Sequence, residues 1–201
     1  MRLLVFSDIH GDVRALERLM ESEADHYVAA GDLVTWSRGL DALGPVLQKK
    51  SAQVHVLPGN HESASQVERF CAKYGLDALH ERWFEAGGWR VAGLGYSNPT
   101  PFNTPGEYTE EELAERLGAF SGMKRLILVC HCPPLETDLD RMGPGRHCGS
   151  AAVRRFIQDQ QPEWFFCGHI HEAEGSETMI GGTRAVNVGK QGYLLDLGST
   201  S

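Results

Sequence analysis

Short apolar runs alternate with amphipathic segments along most of the chain. Residues 3–6 are wholly apolar and predict a buried strand, and apolar residues at helical spacing in 13–20 predict a helix leading to a strand at 24–30. A strand, a helix and a strand in this order imply a parallel pair. The alternation then continues to the end of the chain, with strands predicted at 53–57, 125–130, 163–167, 183–188 and 192–197 and helices at 40–48, 63–73, 109–120 and 150–158. The sequence therefore predicts an α/β fold.

Two kinds of segment interrupt this alternation. Residues 82–86 and 89–94 flank Gly87-Gly88 and predict an antiparallel hairpin. Residues 95–108 are rich in proline, asparagine and threonine, which is typical of a long functional loop that the prolines keep ordered. A second long loop is predicted at 135–147. We expect residues 1–201 to form one domain, with 198–201 as a frayed tail.

Residue types that bind metal ions follow five of the apolar runs. They are Asp8 and His10, Asp32, Asn60 and His61, His131, and His169 and His171. Residues i and i+2 of an extended chain point the same way, so Asp8 and His10 can bind one ion, and mixed Asp and His donors suit a divalent transition metal better than calcium. A histidine after any single strand is more often an ordinary surface or core side chain. Because the carboxyl ends of parallel strands meet at one crevice, five such coincidences favour a shared metal site.

Composition narrows the possible partners. The formal net charge of -8 argues against nonspecific binding to nucleic acid or to an anionic membrane. No apolar run has transmembrane length, and the N-terminal segment lacks the pattern of a signal peptide, so we expect a cytoplasmic protein. The chain has five scattered cysteines without a Cys-x-x-Cys motif, and such cysteines are usually buried apolar residues. They are Cys71, Cys130, Cys132, Cys148 and Cys167. Only Cys132 and Cys148 lie near candidate ligands.

Taken together, the motifs resemble the calcineurin-like metallophosphoesterase superfamily. The resemblance covers residues 8–171 and rests on Asp8-x-His10, Gly31-Asp32, Gly59-Asn60-His61-Glu62, His131 and Gly168-His169-x-His171. Residues 97–102, His131-x-Pro133-Pro134 and residues 167–172 are similar to a group of small predicted bacterial and archaeal phosphoesterases related to the Icc-type phosphodiesterases. The fold implied by this resemblance is a four-layer α/β/β/α sandwich of two mixed sheets.

The resemblance also implies a site for two divalent metal ions. One ion would bind Asp8, His10 and His171, the other would bind Asn60, His131 and His169, and Asp32 would bridge them. Two such ions clamp the attacking and leaving oxygens of an in-line displacement, and a water shared by both becomes a hydroxide near neutral pH. The expected activity is hydrolysis of a phosphodiester or phosphomonoester in a small substrate. We expect manganese, although iron, nickel, cobalt and zinc suit the same ligands.

By the same resemblance, His61 is the catalytic residue and not a ligand. It would stabilise the transferring phosphoryl group or protonate the leaving oxygen. In the related phosphoprotein phosphatases an aspartate three residues after the bridging carboxylate orients this histidine, whereas this chain has Thr35 there. Glu62 or another residue would then orient His61, or His61 would act as a neutral hydrogen-bond donor.

The sequence constrains the substrate contacts and the choice of function less than it constrains the metal ligands. The two long loops offer Asn98, Asn103, Arg146 and His147 as substrate-binding candidates, although asparagines also cap turns and a surface arginine is often only solvated. A non-catalytic protein-binding scaffold, as in the retromer subunit with this fold, is the alternative function. A nuclease is less favoured because the chain has no basic stripe. The preference between monoesters and diesters, the physiological substrate and the oligomeric state stay open.

Overall fold

Thirteen β-strands and five α-helices make up the computed structural model, which describes residues 1–198. The helices are α1 (Val13–Glu21), α2 (Gly44–Leu47), α3 (Ala64–Tyr74), α4 (Glu110–Gly118) and α5 (Ala151–Gln160). The strands are β1 (Arg2–Phe6), β2 (His26–Ala29), β3 (Val54–Val56), β4 (Asp77–Ala78), β5 (Arg82–Ala86), β6 (Trp89–Leu94), β7 (Leu126–Cys130), β8 (Arg141–Gly143), β9 (Arg146–His147), β10 (Trp164–Cys167), β11 (Glu177–Ile180), β12 (Thr183–Asn187) and β13 (Tyr193–Asp196). The predicted tail, apart from Gly198, lies outside the described residues.

The strands form two mixed sheets and one small ribbon. In the five-stranded sheet, with the order β13-β1-β2-β3-β4, only β13 runs antiparallel to its neighbour. In the six-stranded sheet, with the order β11-β12-β10-β7-β6-β5, the four central strands are parallel and the two edge strands are antiparallel. Strands β8 and β9 pair separately. The predicted parallel strands and the predicted hairpin are therefore confirmed.

Alternation along the strands divides the core into three layers of side chains. Val5 and Val28 of the first sheet pack with Ile127 and Phe166 of the second between the two sheets. The opposite face of the first sheet packs against α1, α2 and α3, and that of the second sheet packs against α4 and α5. Since successive residues of a strand point to opposite faces, each sheet is covered on both sides. The expected α/β/β/α sandwich is confirmed.

Two predicted segments differ from the structure. The helix predicted at 40–48 is a 3-10 turn (Leu40–Ala42), then α2, then a second 3-10 segment (Gln48–Gln53). Pro45 explains the break, because a proline lacks the N–H of a helix interior and suits a first turn. The loop predicted at 135–147 contains a 3-10 turn and the β8–β9 ribbon, where Gly143 and Gly145, both with positive φ, allow a tight reversal.

Within residues 1–198, no helix has both the length and the apolar composition that crossing a bilayer requires.

Candidate metal centre

The ends of five strands bring all eight predicted ligand and catalytic residues to one edge of the sandwich. The Oδ1 atom of Asp8 lies 3.4 Å from Nε2 of His171. The Oδ2 atom of Asp32 lies 3.4 Å from Nε2 of His131 and 3.9 Å from Nε2 of His10. One carboxylate oxygen of Asp32 therefore lies between histidines from the two predicted ligand sets.

Three groups of potential donor atoms, each within 4.8 Å of one another, occur among residues 1–198. They consist of Asp8, His10 and His171, of Asp32, His131 and His169, and of His10, Asp32 and His61. Asn60 belongs beside the second group, because its Oδ1 lies 3.1 Å from Nε2 of His131. The first two groups match the two ligand sets that the resemblance implies. The third places His61 at the same centre.

Sharp turns at the strand ends point these side chains inward. Asp8, His10, Asp32 and His169 have φ values of 57°, 48°, 51° and 69°, in the left-handed region that L residues rarely adopt. Hydrogen bonds hold two of these turns together, since the N–H of Asp8 donates to the Gly31 carbonyl at 3.1 Å and that of His10 donates to the Asp32 carbonyl at 3.0 Å. The strained backbone thus lies where the chain leaves the sheets and enters the site.

Two glycines allow the strand ends to approach each other closely. A Cβ atom on Gly59 would collide with Asp32, and one on Gly168 would collide with Ser7 and Asp8. The N–H of His169, next to Gly168, donates to both oxygens of Asp8 at 3.0 and 3.2 Å. This contact joins the end of β10 in the second sheet to the end of β1 in the first.

Surrounding hydrogen bonds determine which atoms of His131 and Asn60 face the centre. The Nδ1–H of His131 donates to the Ala30 carbonyl at 2.8 Å, so Nε2 faces Asp32 and Asn60. The amide of Asn60 donates to Oγ1 of Thr104 at 3.2 Å, and that hydroxyl donates to Glu107 at 2.6 Å. The carbonyl oxygen of Asn60 is therefore directed toward His131 as a potential ligand.

The electrostatics of the centre favour a bound cation. The side chains of Asp8 and Asp32 are 5% and 3% exposed, so their charges are poorly solvated. Burial alone opposes the positive charge of His131, but the adjacent Asp32 carboxylate raises the pKa of His131 to about 9. Burial opposes ionisation of Asp32, but His131 outweighs it and holds the pKa of Asp32 below its ordinary value. A divalent cation at the centre would replace the proton that Asp32 attracts to His131, and two buried carboxylates with imidazole and amide donors fit divalent transition metals.

The structure shows what lies beside His61 in this chain, where Thr35 replaces the aspartate that orients this histidine in the related phosphatases. The backbone N–H of Trp36 donates to Nδ1 of His61 at 3.3 Å. This contact leaves the proton of the ring on Nε2 and favours His61 as a neutral hydrogen-bond donor. Thr35 instead contacts Nδ1 of His10 at 3.0 Å through its hydroxyl. The carboxylate of Glu62 points to the backbone, so the suggestion that Glu62 orients His61 is wrong.

Glu62 organises the backbone around the proposed bridging residue. Its carboxylate accepts the N–H groups of Asp32, Val34 and Gly59 at 3.1, 2.8 and 2.9 Å. Burial, with a further contribution from the charge of Asp32, raises the pKa of Glu62 to about 8. Its role is to hold the ends of β2 and β3 together.

Of the four substrate-binding candidates, the structure places two at the centre. Asn98 and Arg146 line a cavity of about 510 Å³ that also contains His61 and donor residues of the metal groups. Asn103 is instead an exposed turn residue with φ 49°, and His147 pairs with the buried Asp140 at 2.7 Å. Neither lines the cavity, because turn formation and the hydrogen bond to Asp140 direct these two residues elsewhere.

The two cysteines predicted near the candidate ligands differ in their exposure. Cys148 lines the cavity, whereas Cys132 is buried behind Asn98, with its Sγ 3.1 Å from Oδ1 of that residue.

Sequence reasoning missed three residues that support the centre. Thr104 and Glu107 fix the direction of the Asn60 amide. The side-chain amide of Asn187 donates to the carbonyls of Gly168 and Ile170 at 3.2 and 3.0 Å, and thereby holds the turn that carries His169. These residues are far in sequence from those they support, and only the placement of Thr104 and Glu107 in the long proline-rich loop hinted at a role.

The fold and the donor residues together are those of a metallophosphoesterase. A family model described as calcineurin-like phosphoesterase matches residues 1–173, and the chain belongs to this family. The uncharacterized protein MJ1162 of Methanocaldococcus jannaschii is 30% identical over 202 residues, which cover 97% of this chain and 91% of that protein.

Solved structures share the fold at lower sequence identity. The protein TT1561 of Thermus thermophilus has a TM-score of 0.72 at 22% identity, with 94% of this chain and 88% of that chain covered. The phosphopantetheinyl hydrolase of Mycobacterium tuberculosis has a TM-score of 0.65 at 18% identity, with 93% and 88% covered.

Proposed function

We propose that this protein hydrolyses the phosphoester bond of a small monoester or diester at a site for two divalent metal ions. The observation that carries the proposal is the position of Asp32, whose Oδ2 lies 3.4 Å from Nε2 of His131 and 3.9 Å from Nε2 of His10. A carboxylate between two sets of nitrogen donors is suited to bridge a pair of cations. The phosphoesterase family of the chain supports the same proposal.

Each donor set would hold one ion. Asp8, His10 and His171 would hold the first, Asn60, His131 and His169 the second, and Asp32 both. When bound, the ions would supply Lewis-acid chemistry that polarises the phosphoryl group and lowers the pKa of a water molecule. Manganese stays our prediction for the metal, with iron, nickel, cobalt or zinc as the other ions that suit these donors.

His61 would act on the leaving group. In hydrolysis, the oxygen of water bonds to phosphorus, the ester P–O bond breaks, and the departing oxygen takes up a proton. Because the N–H of Trp36 occupies Nδ1 of His61, the Nε2–H group is the one available to donate a hydrogen bond to the departing oxygen, and the proton itself would come from water. His61 also lines the open cavity, where a substrate can reach it. This placement favours catalysis over the scaffold alternative.

A hydrolysis screen tests the proposal. The manganese-loaded protein would be assayed with aryl monoesters, aryl diesters, cyclic nucleotides and short oligonucleotides, with His61→Ala as the blank. We expect turnover of at least one class, and a loss of about 10²–10⁴-fold in the variant at equal metal content, as is typical when a positioned catalytic donor is lost. Equal rates for both proteins would remove His61 from the mechanism, and no turnover by the wild type would contradict the proposed function.

A further inference from the structure

An apolar surface lines the cavity beside the candidate metal centre. Pro99, Pro101 and Phe102 contribute to it from one rim loop, Met142 from the β8–β9 ribbon, and Ile170 from the turn after β10. We call these five residues the apolar wall. We propose that the substrate is a phosphoester with an apolar organic group, about the size of one aromatic ring, which packs against the apolar wall. This inference rests on the proposed function and specifies its substrate class.

The charges of the cavity argue for a substrate with few anionic groups. Apart from the donor residues and His61, the charged residues that line the cavity are Arg146 and Glu172. None of the ion pairs found within residues 1–198 includes Arg146, whereas the nearby Arg141 pairs with Asp138 at 2.8 Å. One unpaired guanidinium can bind one further phosphate or carboxylate. In a substrate with a chain of several phosphates, the further phosphates would have no cationic side chain to bind. They would also approach the carboxylate of Glu172, which repels them.

The loop that carries Phe102 is held in place before any ligand binds. Glu107 accepts hydrogen bonds from the hydroxyls of Thr100 and Thr104, each at 2.6 Å. The N–H of Phe102 donates to the same Thr100 hydroxyl at 3.2 Å. A surface that is already ordered loses little conformational entropy on binding, so more of the contact energy appears as affinity.

The exposure of Phe102 determines how much the apolar wall should add to ligand affinity. Its side chain is among the most exposed large apolar groups in residues 1–198, at 72%. Contact with an apolar ligand would remove this ring and part of the ligand from water, which is favourable in proportion to the apolar area buried. Met179 is a matched reference, since it is 60% exposed but lies on β11 and does not line the cavity.

Binding of phosphonates tests the apolar wall without turnover, because their C–P bond is not an ester. We would measure by calorimetry the affinity of the manganese-loaded protein for 3-phenylpropylphosphonate and for propylphosphonate. We expect the phenyl compound to bind about tenfold more tightly. In Phe102→Ser the ratio should fall to about twofold, and in Met179→Ser it should stay at about tenfold. Both replaced side chains are exposed, so both variants should fold. Equal affinities in the wild type would overturn the inference.

Turnover separates failure of this inference from failure of the proposed function. The pair would be 2-phenylethyl phosphate and ethyl phosphate, as monoesters and as methyl diesters, because their alcohols differ little in basicity. A kcat/KM about tenfold higher for the phenyl member, reduced in Phe102→Ser, would support the inference. Hydrolysis of both members at equal kcat/KM would overturn it while the proposed function stands. If the wild type hydrolysed no ester, the proposed function would fail and the inference with it.

Discussion

At the scale of single residues, hydrogen-bond direction decides which atom each side chain offers to the centre. Asn60 presents its carbonyl oxygen because Thr104 accepts from its amide, and the Thr104 hydroxyl is oriented to accept because it donates its own hydrogen bond to Glu107. His61 keeps its proton on Nε2 because the backbone of Trp36 donates to Nδ1. Neighbours without any contact to the metal or the substrate thus define the chemistry of the residues that would make such contact.

Replacing Thr104 with valine tests this control of Asn60. Valine has nearly the shape of threonine but cannot accept the hydrogen bond, so the Asn60 amide is free to rotate. We expect metal affinity to fall by about 10–100-fold, the usual effect of removing a neighbour that orients a ligand. Titration with Mn²⁺ followed by calorimetry measures it.

A matched control is Thr183→Val. Thr183 is also buried, it begins β12 at the end away from the centre, and its hydroxyl has no partner among the described residues. The metal affinity of the Thr183→Val variant should equal that of the wild type. An unchanged affinity in Thr104→Val would show that Asn60 does not depend on Thr104.

At the scale of elements, the centre depends on how closely the strand ends of the two sheets meet. Gly168 follows β10, and a Cβ there would collide with Ser7 and Asp8 beyond β1. We expect Gly168→Ala to lower the free energy of unfolding by about 1–3 kcal/mol, as overpacking does, and to weaken metal binding by displacing Asp8. Urea denaturation and metal titration measure the two effects.

Gly118→Ala is the control for Gly168→Ala. Gly118 is the last residue of α4, and a Cβ there would meet nothing within 4 Å. This substitution should stabilise the protein by about 0.4–1 kcal/mol, because alanine reduces the entropy of the unfolded chain. If Gly168→Ala matched Gly118→Ala in stability and metal affinity, close approach of the strand ends would not be required.

A partly buried histidine joins the proline-rich rim loop to the rest of the second sheet. Nδ1 of His80 accepts the Gly95 N–H at 2.9 Å, and its Nε2 lies 3.2 Å from the Tyr108 hydroxyl, which in turn donates to Glu81. Burial lowers the pKa of His80 to about 4. In the unfolded chain the pKa is about 6.5, so the unfolded state binds the proton more readily.

This pKa difference predicts an acid-sensitive contribution to stability. The contribution is complete above about pH 6.5 and is lost as the pH falls toward about 4, with a total of about 3 kcal/mol. Urea denaturation at both ends of this range should show a smaller loss for His80→Gln than for the wild type, since glutamine does not titrate. Equal losses would mean that His80 contributes nothing to the acid sensitivity.

At the scale of the whole molecule, the sequence predicts what depends on local pattern and on strand direction. The strand-end motifs, from Asp8 to His171, could be assembled in advance because parallel strands place their carboxyl ends together. The edge strand β11 was not predicted, because Glu177–Ile180 is short, has only Ile180 buried and so lacks an apolar run. The roles of Thr104 and Asn187 were also missed, because each depends on a contact that only the tertiary fold brings about.

The same limit applies to the positions of Glu62 and His147. Residue type and position suggested a site role for both, but each lies beside a stronger local partner. Glu62 meets three backbone N–H groups, and His147 meets Asp140. Which partner a polar side chain takes depends on packing, and sequence spacing does not encode it.

The most direct test of the central claim is the number of metal ions bound per chain. The protein would be loaded with Mn²⁺, freed of excess ion, and analysed for metal by mass spectrometry beside Asp32→Asn. We predict two ions per chain in the wild type and at most one in the variant, because Asp32 is the proposed bridge. One ion or none in the wild type, or two retained in Asp32→Asn, would contradict the account.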